Sequence, residues 1–488
     1  MDRRTLSSLP AVALAIGLGG DYLFRASVPG IGATLWVVLF VTAVLALGGV
    51  RGAVPRTAAP WLAAAIVFAA FVSLRDTPEL RAWNVLAVLG ALFLSLLADR
   101  RFPLASSALE AHVRPAIRAV IGVLATPLAV MRPRRAATDS SGELLRRSLL
   151  AAVVTVPLLL LFGALLVQAD PLFERLVRQV FAWDFEKAAS HFFTIAILSW
   201  LAGGYLIASR TAGPAEASSD TNRRPLVGLL EVGVPMGAVS VLFVAFVAVQ
   251  FRYLFGGAEL IRTTVGLSVA EYARRGFFEL VAASGLVIPL VVGADWLLSG
   301  NDRRTIRRFR LLAATQLVLV GLIMVSALGR LRLYYQSFGL TTDRVLALAV
   351  MVWIGLTLGW SAFTVLRGDR GRFPVGAIVG GLGVLAALNL INPEAVVARV
   401  NLNRYAAGAL LDVAYLGQMS ADVVPTVLAR SVTMPAEERC PLAAALAERH
   451  GSASDGDWRT WNLSRRRARQ ALADHASTRQ CDAWQSKD

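Results

Sequence analysis

The chain has 488 residues, of which 56% are hydrophobic and only 17% charged, with a mean hydropathy of +0.59. Long apolar stretches recur along most of it, which excludes a soluble multi-domain enzyme, a disordered chain and a disulfide scaffold. A formal net charge of +16 would suit nucleic acid, so the meaning of the charge depends on where it sits.

In chain order, eleven apolar segments approach the roughly 17 to 25 residues that a membrane helix needs. They lie near 9–26, 30–50, 59–75, 81–98, 148–168, 191–209, 228–251, 277–299, 311–329, 344–366 and 374–391. The first is interrupted by Asp21, and Arg3 and Arg4 precede it as they would in a signal peptide. Leu18 and Gly20 make no small-x-small cleavage site, so a retained helix is expected. The stretch 116–131 contains Arg118 and Pro127 and is predicted as a cytoplasmic interfacial helix. Pro157, Pro235 and Pro289 fall within apolar spans, where each removes a backbone hydrogen bond and can kink its helix. Gly376, Gly380, Gly381 and Gly383 in the last span suit close helix packing; no Gly-Lys-Ser/Thr follows, so they form no phosphate loop.

The fold class expected is all-α, a polytopic membrane helix bundle with a small helical tail. A four-helix membrane part over 1–98 is followed by a basic cytoplasmic loop over 99–147, a seven-helix block over 148–391 and a tail over 392–488. A cytoplasmic N-terminus places 24 basic residues inside and 13 in the outer loops, as the positive-inside bias requires, and puts the C-terminus outside the cytoplasmic membrane. The same cytoplasmic loops hold 9 acidic residues, while the tail is nearly balanced, 12 basic against 11 acidic. The charge excess therefore points to the lipid bilayer and to anionic headgroups at the cytoplasmic face, not to nucleic acid. The four histidines, His112, His191, His450 and His475, have no metal-ligand spacing, and no metal or cofactor is implied.

Polar residues other than plain arginine gather at the predicted outer helix ends: Asp21, Tyr22 and Arg25; Gln250, Arg252 and Tyr253; Arg330, Arg332, Tyr334 and Tyr335; Thr341, Thr342, Asp343 and Arg344; Asn389 and Asn392. Ionisable groups at the edge of hydrocarbon are costly unless paired or hydrated, so this mixture suggests an outward-facing polar cavity. An aromatic belt with snorkelling arginines would account for the tyrosines and arginines alone. Glu271, Arg275 and Glu279 are spaced i, i+4, i+8 on a predicted helix and can form a charge ladder, with Glu279 entering the apolar stretch. It can serve as a clamp or as a proton- or ligand-binding carboxylate. Residues 395–419 read as one helix whose spacing places Asn401, Tyr405, Gly408, Asp412, Tyr415, Met419 and, just beyond, Asp422 along one polar seam.

Five strings together resemble a known motif set: Gln250 to Gly257, Glu271 to Glu279, Arg330 to Tyr334, Gly339 to Arg344, and Asn401 through Arg404 and Tyr405 to Leu416. The chain over 145–430 resembles a bacterial polytopic membrane-protein family catalogued as a domain of unknown function, of the four-one-seven-three type, related to the four-one-five-three type. The resemblance implies a membrane bundle and transfers no activity. The first four spans and the cysteine-bearing end lie outside it.

The tail reads as helices over 436–450 and 458–476, and its position outside would allow Cys440 and Cys481 to form a disulfide. Three functions remain. One is a protein that binds or transports a small or amphiphilic solute through the outer cavity, with Glu279 or Asp343 coupling to protons. Another is a transferase acting on a lipid-linked substrate at the outer face, with Asp21 as base beside Arg332 and Arg344. The last is a non-catalytic sensor or assembly factor. The non-enzymatic readings are preferred, because many spans and one acidic outer turn resemble a transferase by architecture alone.

Overall fold

Uninterrupted runs of Ala, Leu, Val and Phe are stable away from water as helices, because every backbone N–H and C=O is then paired within the segment. In the computed structural model of this protein, the described residues form helices and no strands. They are 29–49, 58–97, 161–180, 228–265, 277–298, 301–367, 372–451 and 457–476, with scattered positions over 16–23 and 151–159. Four helical segments among them are long and apolar enough to cross a membrane: Leu229–Gln250, Arg303–Arg332, Thr342–Thr364 and Phe373–Ile391. Ile31–Ala46 and Ala59–Leu74 are apolar but shorter. All six coincide with predicted spans. The predicted segments at 116–131 and 191–209, most of 9–26 and part of 148–168 lie outside the described residues.

The chain divides into two compact units, one of residues 1–108, 339–349 and 382–488, the other of 109–338 and 350–381. In the first unit, helices α1 (Ile31–Gly49), α2 (Ala59–Leu74) and α3 (Pro78–Leu97) pack around Val37, Val41, Leu62, Ala65, Phe68, Ala69 and Val88. The Thr34 hydroxyl donates to the Ala69 carbonyl at 2.7 Å and meets the Ser73 hydroxyl at 2.5 Å, a polar tie between α1 and α2.

Later in the chain, beyond helices α4 (Pro171–Val180), α5 (Leu229–Val265), α6 (Phe277–Leu297), α7 (Arg303–Phe338) and α8 (Thr342–Thr364), the helix α9 (Phe373–Ile391) ends at Asn392. Asn392 adopts φ 58°, a left-handed conformation that Asn tolerates better than most residues, and its side chain accepts from Ala395 N. With Pro393 in the first turn, the chain is re-aimed into α10 (Pro393–Ala406). The helix expected over 395–419 is interrupted: α10 stops at Ala406, Gly408 takes φ 89°, and α11 (Val413–Gln418) starts afresh with Asp412 capping Tyr415 N. The continuous polar seam predicted along it therefore does not exist. Helices α12 (Val424–Arg430), α13 (Ala436–His450) and α14 (Leu463–Ala476) complete the tail around Val397, Leu402, Leu416, Val424, Val427, Leu446 and Leu472.

In the second unit, α7 sorts its residues by a seven-residue step. Phe309, Gln316, Ile323 and Arg330 are buried, while Leu311, Val318 and Val325 are exposed. A helix that is apolar all round but buried on one stripe is what a membrane bundle requires. Edge-to-face ring pairs, Phe162 with Phe243 and Phe173 with Phe246, both at 5.2 Å, join α5 to the preceding segments. The hydroxyls of Ser240, Ser284, Thr357 and Thr364 each donate to the carbonyl four residues back, the usual way of satisfying a hydroxyl in hydrocarbon.

Candidate functional site

The second unit holds a buried charge cluster at Asp170, where helical residues 161–169 give way to α4. Its Oδ1 accepts from Leu172 N at 2.8 Å and Phe173 N at 3.1 Å, capping α4. Its Oδ2 accepts from Arg330 Nη2 at 2.7 Å and from Gln250 Nε2 at 2.5 Å. Arg330 Nη1 also donates to the Ala169 carbonyl, and Ser326 Oγ donates to Gln250 Oε1 at 2.9 Å. Asp170 is 0% exposed and Arg330 3%. One carboxylate thus ties together the start of α4, the middle of α5 and the buried face of α7. Its charge is matched by a guanidinium, without which a buried carboxylate would be costly.

The first unit holds a second cluster, centred on Asp422 between α11 and α12. The carboxylate accepts from Asp76 N at 2.6 Å, Thr77 N at 2.8 Å, Thr77 Oγ1 at 2.9 Å and Ser464 Oγ at 2.5 Å, with Arg75 Nη1 at 3.5 Å. Arg75 itself donates to the carbonyls of Asn389 and Leu390, and Asn84 and Asn389 exchange reciprocal 2.8 Å amide hydrogen bonds. Asp76 pairs with Arg465 at 3.1 Å and with Arg81 at 3.7 Å. Nearby, Glu394 Oε2 accepts from Ser420 N at 3.0 Å and Ser420 Oγ at 2.5 Å. Burial raises the Glu394 carboxyl to about 7, against the lowering effect of those hydrogen bonds. The turn 75–77 is thereby latched to the tail. So is the start of α1, since Ile31 N donates to Trp461 O at 2.9 Å and Arg465 Nη2 to Pro29 O at 2.6 Å.

Of the residues predicted from sequence, Asn401 holds Leu340 at both ends, accepting from its N–H and donating to its carbonyl, each at 2.8 Å. Tyr415 Oη accepts from Thr342 N at 3.0 Å, and Arg344 donates to the Gly339 carbonyl. Arg404 stands beside Gly339. The structure therefore gathers Gly339, Arg344, Asn401, Arg404 and Tyr415 around one turn. Asp412 caps α11, Asp343 is exposed in the first turn of α8, and the Tyr405 phenol is raised by a hydrogen bond to Glu438. Glu279, half-buried in the first turn of α6, and Arg332, exposed on α7, belong to the other unit. Asp21, Glu271 and Arg275 lie outside the described residues, as do Cys481 and the side chain of Arg252. Cys440 is buried and not free. Asp170 escaped the sequence reading, since nothing near it in the chain announces a partner; Gln250 and Arg330 were visible only as polar residues at helix ends.

The family profile described as Domain of unknown function (DUF4153) matches residues 62–429, well over half of the chain. The chain belongs to the DUF4153 family. The match is to the four-one-five-three type, and it begins within α2, so α3 and most of α2 lie inside the family region rather than outside it. All four residues of the Asp170 cluster fall inside the DUF4153 region, as do Arg75, Asp76, Thr77, Asn84, Asn389, Glu394, Ser420 and Asp422; Ser464 and Arg465 fall beyond it. No curated protein and no solved structure matches the chain.

Proposed function

We propose that this DUF4153 member is a bacterial cytoplasmic-membrane protein of about eleven spans that binds or transports a small or amphiphilic solute, its N-terminus cytoplasmic and its tail outside. The observation that carries the reading is the Asp170–Arg330 pair with Gln250 and Ser326, buried beside helices apolar enough to span a bilayer. Ionisable groups in such a setting are expensive and mark substrate, ion or proton pathways by default. A ligand anion taking the place of the Asp170 carboxylate on Arg330 would part the pair and loosen the hold of Asp170 on Gln250.

The orientation rests on arginine counts and on a consistency within the first unit: the tail is bonded to the start of α1, the turn 75–77 and the turn 339–342, all of which those counts assign to one side. The Asp422 latch favours a second reading, a non-catalytic sensor whose tail reports on those turns. Native mass spectrometry of protein extracted from its own membranes tests the first reading. A solute should be retained by the unsubstituted protein and lost from Asp170→Asn; a bare protein, or equal retention by both, would count against it.

A further inference from the structure

Helix α7 opens with Arg303, Arg304, Arg307 and Arg308, all four exposed, and has no acidic residue in its first turn. Basic residues at the start of a helix meet the positive end of its dipole, and the pairs 303/307 and 304/308 set like charges one turn apart. Helix stability therefore does not account for the arrangement. The backbone at this end is already capped by the exposed Asp302, which accepts from Arg304 N at 3.0 Å and Thr305 N at 3.3 Å. Among the described residues, no hydrogen bond or ion pair engages the four guanidinium groups.

Their face of the helix supplies the reason. Arg304 heads the exposed seven-residue series Leu311, Val318 and Val325, and Arg308 precedes the exposed Thr315 and Leu322 by seven and fourteen residues. Seven residues make nearly two turns, so both arginines stand over the uncharged stripe opposite the side that buries Phe309, Ala313, Val320 and Ile323. On a helix apolar enough to cross a bilayer, the exposed stripe faces lipid tails. Arg308 lies about 4.5 Å and Arg304 about 10.5 Å beyond Leu311 along the axis. The headgroup layer is roughly 5 to 7 Å deep on each side of the hydrocarbon, so long arginine side chains at these heights reach its phosphates.

We infer that Arg303, Arg304, Arg307 and Arg308 form a docking surface for the phosphate of an acidic phospholipid in the leaflet that this end of α7 enters. Net charge pointed to anionic headgroups without naming residues; the lipid-facing stripe of α7 names them. A guanidinium donates in a planar fork that matches two phosphate oxygens, and an anion seated among the four relieves both like-charge pairs. The inference goes beyond the solute reading and does not depend on it.

The test is native mass spectrometry of the full chain in neutral detergent, titrated with phosphatidylglycerol or phosphatidylcholine. The unsubstituted protein should prefer phosphatidylglycerol. Arg304→Gln with Arg308→Gln should weaken the tightest binding of phosphatidylglycerol roughly thirtyfold and leave phosphatidylcholine unchanged. Arg466→Gln with Arg467→Gln removes the same charge from exposed positions on α14 and should change neither. Arg304→Lys with Arg308→Lys keeps the charge and should retain most of the preference. Should the first pair fail to fold, Arg303→Gln with Arg307→Gln carries the same comparison. Undiminished binding of phosphatidylglycerol by the glutamine pair, equal weakening by the α14 pair, or displacement of the lipid by inorganic phosphate at the same concentration overturns the inference.

Discussion

Glu394 shows how much a single environment can change a side chain. Desolvation dominates its shift and the nearby Asp422 charge adds to it, outweighing the hydrogen bonds from Ser420, so the carboxyl rises from 4.5 to about 7. A carboxyl raised in the folded state costs nothing below pH 4.5, where both states are protonated. The cost grows as pH climbs toward 7 and is complete above it, where it reaches about 3 kcal/mol. Glu394→Gln should therefore raise the melting temperature of detergent-purified protein at pH 8, and the advantage should shrink toward zero by pH 5; a pH-independent difference would contradict this. Gly339 makes a second prediction at this scale. It adopts φ 77°, and a Cβ there would stand 2.6 Å from Asn401 Oδ1 and 2.9 Å from Arg404 Nη1. Gly339→Ala should destabilise by about 1 to 3 kcal/mol in a thermal unfolding assay. The Gly339 to Arg344 and Asn401 to Tyr415 strings were legible as motifs, but their meeting was not, because 61 residues separate Leu340 from Asn401.

Among the described helices, apolar runs marked the four that are long and apolar enough to cross a bilayer, and marked their ends poorly. The segment predicted over 311–329 is the core of a helix running from Arg303 to Phe338, because arginines and tyrosines at its ends continue the helix without adding to the apolar signal. The break in the predicted helix 395–419 did have a sequence mark. Gly408 permits the left-handed turn and Asp412 restarts the helix, whereas the apolar period alone runs straight through. The Asp422 latch joins elements that are 345 residues apart in the chain, beyond the reach of any local pattern. Asp422→Ala would leave the N–H groups of Asp76 and Thr77 without their acceptor, and should lower stability by about 3 to 5 kcal/mol. Hydrogen exchange should speed up at 76–77 and at the start of α14 while α7 is unchanged.

For the whole molecule, composition pointed to a membrane protein, and four helices long and apolar enough to cross a bilayer support that class, while the family match supplies no activity. The side on which the tail lies has a chemical consequence: Cys440, buried in α13, can form a lasting disulfide with Cys481 only in an oxidising compartment. Protein from native membranes should therefore take up maleimide only after reduction, and uptake without it would place the tail in the cytoplasm. The claim on which the functional account depends is that the buried Asp170–Arg330 pair works on a solute rather than merely bracing the bundle. Replacing both members by apolar residues of similar volume, Asp170→Leu with Arg330→Met, removes the charges without leaving either unpaired. Solute retention and melting temperature, measured together on this double variant, give the direct test. If the pair acts on a solute, the double variant folds, is at least as stable as the unsubstituted protein and no longer retains its solute; undiminished retention would show that the pair only braces the bundle.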